Sequence, residues 1–304
     1  MISSDDLFFF GAVASSASLA EAARKLNVSP PAVTQRLRTL EQRAGVRLID
    51  RSSQGIHLTD EGELVAAQGG AIIASIEQLH ERLGQRSTAV RGRLRVAAPH
   101  GFGRRHVAPV IGEFVRLHPE ASVTLELSDN PAALSSESWD VVIHIGGLNS
   151  PARLVTTLAP NHRIICASPF YLQSHSEIVE PEDLRGHHCL ALRENDDDVT
   201  LWRFTHARRG SSTVRIKPAM STNDGAVMRS WALDDQGVII RSEWDLAEDL
   251  AAGRLVRILP DWRCPDADVV ALLNPRHGRS RRTTAILELL RLRLHPVPWR
   301  TSSP

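Results

Sequence analysis

The sequence predicts an α+β protein in three parts: an N-terminal winged helix-turn-helix, a long linker helix, and an α/β domain of two subdomains. Three observations carry this prediction. Ser18–Glu41 holds two short capped helices around a tight turn, the stretch from Thr59 to Arg86 contains no proline, and strand and helix patterns alternate from residue 93 onward. At 304 residues the chain is long enough for two or three domains with cores of their own.

The elements follow in order. Leu7, Phe8, Phe10 and Val13 form an apolar stripe for a first helix. Ser18 with Glu21 makes a capping box that starts a second helix, running to about Leu26. Asn27 and Val28 form the turn. Ser29 caps a third helix, with Pro30 and Pro31 in its first turn, where a missing amide proton costs little. Val33, Leu37 and Leu40 form its buried stripe, and Thr34, Gln35 and Arg38 lie opposite. That is the layout of a recognition helix in the major groove of DNA. Val46–Leu58 reads as two short strands around Ser52–Gly55, a wing. Residues 24–51 carry seven basic residues (Arg24, Lys25, Arg36, Arg38, Arg43, Arg47, Arg51) against Glu41 and Asp50, a local +5. Because the whole chain is only +1, phosphate attraction must come from this patch.

Thr59 caps the next helix, with Asp60 and Glu61 in its first turn. The helix extends ~28 residues, or ~42 Å. Val65, Gly69, Ile72, Ile76, Leu79 and Leu83 alternate by four and three, a short heptad seam suited to pairing two copies. Helix propensity drops at Ser87–Gly92, the expected hinge.

Beyond it, the patterns predict strands at Leu94–Ala98, Val123–Leu127, Asp140–Ile145, Arg163–Ala167, Cys189–Leu192, Val214–Ile216, Val238–Arg241 and Asp268–Leu273. Helices are expected at Gly103–His118, in a short stretch before Asp140, and at Gly225–Leu233, Trp244–Ala252 and Arg281–Leu294. Such alternation implies parallel sheets with crossover helices. The last helix needs the first subdomain to pack on, which requires two crossing strands, near Ile164–Cys166 and Ala267–Val270. Ligands in such folds sit at the carboxyl ends of the strands. Ala98–Gly103 and Ser221–Gly225 each end a strand and start a helix, offering free amides to a carboxylate. His100, Gly101, Phe102, Ser128, Gly146, Thr222, Asn223 and Asp224 are therefore the candidate effector residues.

SLAEAARKLNVSPPAVTQRLRTLE, followed by AGVRLIDR and HLTDEG, resembles the DNA-binding end of the LysR-type transcriptional regulators, and the resemblance continues through nearly the whole chain. It implies a winged helix-turn-helix over 1–58, a linker helix and hinge over 59–91, and an effector domain over 92–304. That domain resembles periplasmic solute-binding proteins, with subdomain I at about 92–163 and 268–304 and subdomain II at about 164–267. Ser29, Pro30, Pro31, Thr34, Gln35, Arg36, Arg38 and Arg51 become the expected DNA-binding residues, with Arg36, Arg38 and Arg51 on phosphates. The family commonly has Gln-Pro where this chain has Pro30-Pro31, and Ser-Arg where it has Thr34-Gln35. Pro30 supplies no amide side chain to a base edge, so the resemblance leaves the half-site open. The implied partners are double-stranded promoter DNA, a small anionic effector (a carboxylate) and further copies of the chain, as dimer or tetramer.

Other chemistry is sparse. Cys166, Cys189 and Cys264 are too widely spaced for a disulfide framework. No targeting segment and no apolar run of membrane-spanning length is visible, so a soluble cytoplasmic protein is expected. His187-His188-Cys189 lacks a second cluster of metal ligands. There is no phosphate loop, nucleophile elbow or dinucleotide fingerprint. No cofactor, no metal and no enzymatic activity are expected. The alternative, an α/β solute-binding or enzymatic protein with an appended helical domain, lacks both an export signal and a nucleophile with its base.

Overall fold

The computed structural model describes residues 2–50, 56–83, 89–131, 139–147, 154–194, 198–273 and 280–301. The chain divides into two compact units, Met1–Thr88 and Ala89–Pro304.

In the first unit, α1 (Ser4–Ala14), α2 (Leu19–Leu26) and α3 (Pro30–Ala44) precede β1 (Ile49–Asp50), β2 (His57–Leu58) and α4 (Asp60–Leu83). Phe9, Phe10, Val13, Val33, Leu37, Leu40 and Leu48 form one buried core. The apolar stripe of α1 is rotated from its expected phase. Phe9 faces inward with Phe10 and Val13, one turn apart on the same face, and Phe8 is 58% exposed. The α2 box is also displaced by one residue: Ser18 Oγ accepts from the Glu21 amide, but the Glu21 carboxylate takes the Ala17 amide. Ser29 occupies the cap position of α3, yet its hydroxyl makes no cap bond. Proline at the first two helical positions leaves few amides there to cap. Asn27 (φ 55°) and Gly45 (φ 75°), both left-handed, close α2 and α3.

The wing is stitched to its surroundings at its base. Glu41 Oε1 accepts from the amides of Leu48 (2.9 Å) and Ile49 (3.3 Å), tying β1 to the recognition helix. Thr59 Oγ1 donates to the Arg47 carbonyl at 2.7 Å and accepts from the Gly62 amide at 3.0 Å. One hydroxyl thus caps α4 and holds the wing. Gly62 lies so close to the wing strand that a Cβ would stand 2.0 Å from the Leu48 carbonyl oxygen. β1 and β2 pair antiparallel as Ile49 with Leu58 and Asp50 with His57. Arg51, the Ser52–Gly55 tip and the first part of the Ser87–Gly92 hinge lie outside the described residues.

In the second unit, β3 (Gly92–Pro99) runs into α5 (His100–Phe102), one π turn (Gly103–Val107) and α6 (Ala108–Leu117). β4 (Ala121–Ser128), β5 (Val141–Ile145) and β6 (Leu154–Ala159) follow. The second lobe holds β7 (Arg163–Ala167), α7 (Pro169–Ser174), β8 (Cys189–Leu192), β9 (Leu201–His206), β10 (Gly210–Arg215) and β11 (Pro218–Thr222). It continues with α8 (Gly225–Leu233), β12 (Ile239–Ser242), α9 (Glu243–Ala251), β13 (Val256–Arg257) and β14 (Trp262–Arg263). β15 (Val269–Leu273), α10 (Arg281–Leu294) and α11 (Pro298–Thr301) complete the first lobe.

The first lobe is a five-stranded sheet in the order β4-β3-β5-β15-β6. β3 is parallel to β4 and β5, while β15 is antiparallel to β5 and β6. The expectation of parallel sheets therefore fails at β15, which returns from the other lobe in the opposite direction. α10 packs on α6 and β6, as its apolar face requires. In the second lobe, β12-β7-β13 is antiparallel and β11 is parallel to β8. The helix expected from Gly103 starts at His100, and the short helix expected before Asp140 lies outside the described residues.

The crossing between lobes is made beside the expected strands. β7 belongs to the second lobe and β15 to the first; the link between them is a bridge of His162 with Asp266. Asn161, wholly buried, holds it. Its Nδ2 donates to the Ala267 carbonyl (2.8 Å) and Ser242 Oγ (3.2 Å), and its Oδ1 accepts from the Trp244 amide (3.4 Å).

Gly62→Ala forces the wing strand away from α4 and should destabilise the first unit by ~1–3 kcal/mol. All six tryptophans lie beyond residue 88, so fluorescence reports the second unit and helical circular dichroism the whole chain. The expected outcome is an earlier helical transition with the tryptophan transition unmoved. Coincident, unshifted transitions would contradict it.

Candidate functional site

The outer face of α3 is selective about which charges it leaves available. Gln35 and Arg38 are exposed, and neither side chain has a partner among the described residues. Thr34 donates its hydroxyl proton to the Pro30 carbonyl at 3.1 Å, which leaves its oxygen lone pairs to accept. Ser29, Pro30 and Pro31 are exposed at the start of the helix.

Arg36, expected on phosphates, is turned toward α1. It pairs with Asp5 at 2.5 Å and lies over the Phe9 ring at 4.6 Å. Its position, one turn from Val33 and Leu40, points it at the acidic start of α1. Arg43 makes a two-point pair with buried Asp6, each contact 2.9 Å. The Ser3 amide and Arg43 together hold the Asp6 carboxyl below the usual carboxylate range. Lys25 pairs with Glu21 at 3.1 Å. Of the seven basic residues in the patch, Arg24, Arg38 and Arg47 stay unpaired among the described residues.

The seam of α4 divides. Gly69 packs against Leu7, and Val65 packs on the core, so both are spent on the same chain. Leu64, Ile72 and Leu79 remain exposed, with Phe8 of α1.

In the second unit a cleft opens between the lobes. Its walls include Pro99, His100, Gly101, Ser128, Asp129 and Ile145 from the first lobe. The second lobe supplies Glu194, Asn223, Gly225, Arg241, Ser242 and Trp244. His100, Gly101, Ser128 and Asn223 are thus brought together as expected from their strand ends. The Phe102 side chain is instead wholly buried in the first-lobe core, because the helix begins two residues earlier and turns it inward. Thr222 and Asp224 serve the start of α8 and stand apart from the lining. Thr222 Oγ1 accepts from the Asp224 amide (3.1 Å), and Asp224 accepts from the Ala226 amide (2.7 Å). The expected free amides are therefore partly used by the helix's own cap. Gly146 (φ 104°) also lies outside the lining, beside Arg163. Gly101 is there for packing, since a Cβ would come within 2.9 Å of the Trp244 ring.

Sequence reasoning missed the cleft's cation. Arg241 is 7% exposed and donates through Nε (2.9 Å) and Nη2 (2.6 Å) to Asp245 Oδ2. Its Nη1 has no partner among the described residues. The available signal was an arginine at the carboxyl end of the apolar run Val238–Ile240. Two polar links span the cleft: Asn223 Nδ2 donates to Asp129 at 3.0 Å, and Arg104 pairs with Asp224 at 3.6 Å.

Behind Trp244 lies an aromatic cage. His106 packs 5.8 Å from Trp244, 5.3 Å from Trp299 and 4.8 Å from Phe102, measured between ring centroids. Burial and the adjacent Arg105, opposed by Asp245, push the imidazole down to about 4. No group of three or more metal-ligating side chains stands together among the described residues. His187 is taken up by the Tyr171 hydroxyl and Ser176. Burial pushes the Cys189 and Cys264 thiols up to about 12 and Cys166 higher still, so none presents a reactive thiolate. No helix among the described residues is long and apolar enough to cross a membrane.

Residues 4–63 match the family profile described as "Bacterial regulatory helix-turn-helix protein, lysR family", and residues 87–294 match "LysR substrate binding domain". Among curated proteins, the chain is 32% identical over 287 residues to the HTH-type transcriptional regulator DmlR of Escherichia coli K12, covering 94% of this chain and 93% of that protein. It is 32% identical over 285 residues to the HTH-type transcriptional activator TtdR of Escherichia coli UTI89, covering 94% and 91%. Among solved structures, the full-length Vibrio cholerae virulence activator AphB aligns with a TM-score of 0.63 at 23% identity, covering 94% of this chain and 97% of that one. That last likeness bears on the fold.

The His106 cage sets a pH dependence. Its imidazole is held at about 4 in the folded state, against 6.5 for the free group. As pH falls from about 6.5 to about 4, the unfolded chain takes up a proton that the folded chain refuses, so stability is lost across that window. Tryptophan-monitored melts should show His106→Gln losing less stability than the parent over the same range. Parallel pH curves for the two proteins would contradict this.

Proposed function

The chain belongs to the LysR family of bacterial transcriptional regulators, and from that premise we propose how its own residues read DNA and sense an effector. It is a DNA-binding regulator and not an enzyme. α3 enters the major groove, with Gln35, Thr34 and Ser29 toward base edges and Pro30 and Pro31 fitting the helix start against the groove. Arg38, Arg24 and Arg47 meet phosphates, joined by Arg51 of the wing. Arg36 holds α1 to α3 and leaves the phosphate contacts to its neighbours. The observation that carries this reading is the contrast along one helix: Arg36 and Arg43 are paired, while Gln35 and Arg38 stand exposed and unpaired.

Leu64, Ile72 and Leu79 of α4, with Phe8, form the face on which a second copy docks. Two recognition helices then address a pseudo-palindromic site, with pairs of dimers giving a tetramer. The protein works in the cytoplasm, where the promoter is. The effector is a small carboxylate that enters the cleft and meets Arg241, with His100, Ser128, Asn223 and the amides near Gly101 around it. Gly146, Thr222 and Asp224 shape the rim from just outside. Binding in the cleft biases the two lobes toward one arrangement, which is how occupancy alters the DNA-bound assembly.

A salt titration of promoter affinity separates Arg36 from Arg38. Arg38→Ala should reduce the slope of log affinity against log salt by about 0.9 for each protomer in contact. Arg36→Ala should keep the parent slope and unfold earlier, having lost Asp5 and the Phe9 ring. Identical slopes in parent and Arg38→Ala would remove Arg38 from the interface.

A further inference from the structure

The cleft's charges point to one class of effector, an inference that rests on the cleft being the effector site. The one cation among the lining residues is Arg241, and its charge is already matched by Asp245 through two hydrogen bonds. The lining also holds two carboxylates, one from each lobe. Asp129 uses Oδ2 to accept from Asn223 at 3.0 Å, and Glu194 uses Oε1 to accept from Arg163 at 3.3 Å. Each keeps a second oxygen with no hydrogen bond among the described residues. The cleft thus offers a spare donor and two carboxylates with spare oxygens. The donor is Arg241 Nη1, with Trp244 in the wall beside it.

A plain dicarboxylate fits this poorly. One carboxylate meets Arg241, but the other is set beside Asp129, whose charge no cation pairs among the described residues, and Glu194, which Arg163 offsets at 3.3 Å. The unmatched Asp129 disfavours its ionised form. A ligand with one carboxylate and one ammonium satisfies both ends. We propose that the effector is a free amino acid, its carboxylate on Arg241 and its ammonium between Asp129 and Glu194. The ammonium would also relieve repulsion between two carboxylates on opposite lobes, so the charge that gives selectivity also draws the cleft closed.

Calorimetric titration of the full-length protein with the common free amino acids, their deaminated monocarboxylates, succinate and glutarate tests this. At least one amino acid should bind about tenfold or more tightly than its deaminated counterpart and than either dicarboxylate. Asp129→Asn with Glu194→Gln should erase that preference while keeping carboxylate binding. Arg241→Gln should weaken every carboxylate. A parent protein that prefers a dicarboxylate or a deaminated acid, or that binds no amino acid, overturns the proposal. Carboxylate binding unaffected by Arg241→Gln would move the effector site itself, a failure distinct from the first. The parent's own selectivity decides the question even if a variant folds poorly.

Discussion

The pairing of Asp5 and Asp6 with Arg36 and Arg43 shows how folding allocates charge in this chain. Basic and acidic residues number 36 and 35, so little positive charge survives the fold's own needs. α1 takes two arginines from the recognition helix before DNA is present. In the second unit, Asp249, with a side chain that is wholly buried, takes Arg229 and Arg254. Burial alone would raise its carboxyl; the two guanidinium groups bring it below the usual range. Removing one partner from such a buried pair costs far more than the pair contributes over an apolar substitute. Arg43, Arg229 and Arg254, each on a buried carboxylate, are therefore fixed parts of the structure, while Arg36 meets an exposed Asp5 and is held more loosely. Among the described residues, Arg38, Arg24 and Arg47 of the reader and one nitrogen of Arg241 in the cleft stay free for a partner.

This explains what was legible in the sequence. Helix ends were readable because caps are local chemistry: Ser18, Asn27 and Thr59 act within a few residues. The buried strands Val141–Ile145 and Val269–Leu273 were readable as continuous apolar runs. The strands β9, β10, β11, β13 and β14 were missed or misplaced because they are half-exposed; β9 and β10 form a local hairpin, whereas β11, β13 and β14 depend on partners distant in sequence. β14, only Trp262–Arg263, exists through pairing with His206 and Thr205. At the site, strand ends located His100, Ser128 and Asn223. They could not show that α5 begins at His100 and buries Phe102, nor that Arg36 has an acidic neighbour 31 residues away. Local charge density counted seven basic residues, and long-range pairing decided which of them stay free.

The cleft depends on Asn161 in a similar way. A single amide side chain joins both crossing segments and the start of α9, where Trp244 forms the cleft wall. That side chain is buried and bonded to both segments, so the crossing is the stiff part and the rim the compliant part. The rim contacts, Asn223 with Asp129 and Arg104 with Asp224, are exposed or half-buried polar links of modest strength. A ligand that competes for Asp129 must outweigh only such links to alter the rim. That is a suitable energy scale for a switch, whose states must lie within a few kcal/mol of each other.

The start of α3 carries the chain's own signature as a DNA reader. Glutamine at position 30 would offer an amide that binds adenine in two places, and proline offers no donor at all. The two prolines also remove the amides of the first two helical positions, so the Ser29 hydroxyl is left out of the cap. A group that usually stabilises the helix end is left free at the exposed start of α3, while the prolines preset the backbone angle that the lost cap would have fixed. Glu41, binding the Leu48 and Ile49 amides, keeps the wing at a constant setting relative to this altered helix. The framework that aims the helix is therefore retained and the chemistry at its tip has changed. It follows that the preferred half-site should diverge from the family pattern at the bases facing residues 29–31, while the phosphate contacts position the reader without specifying bases.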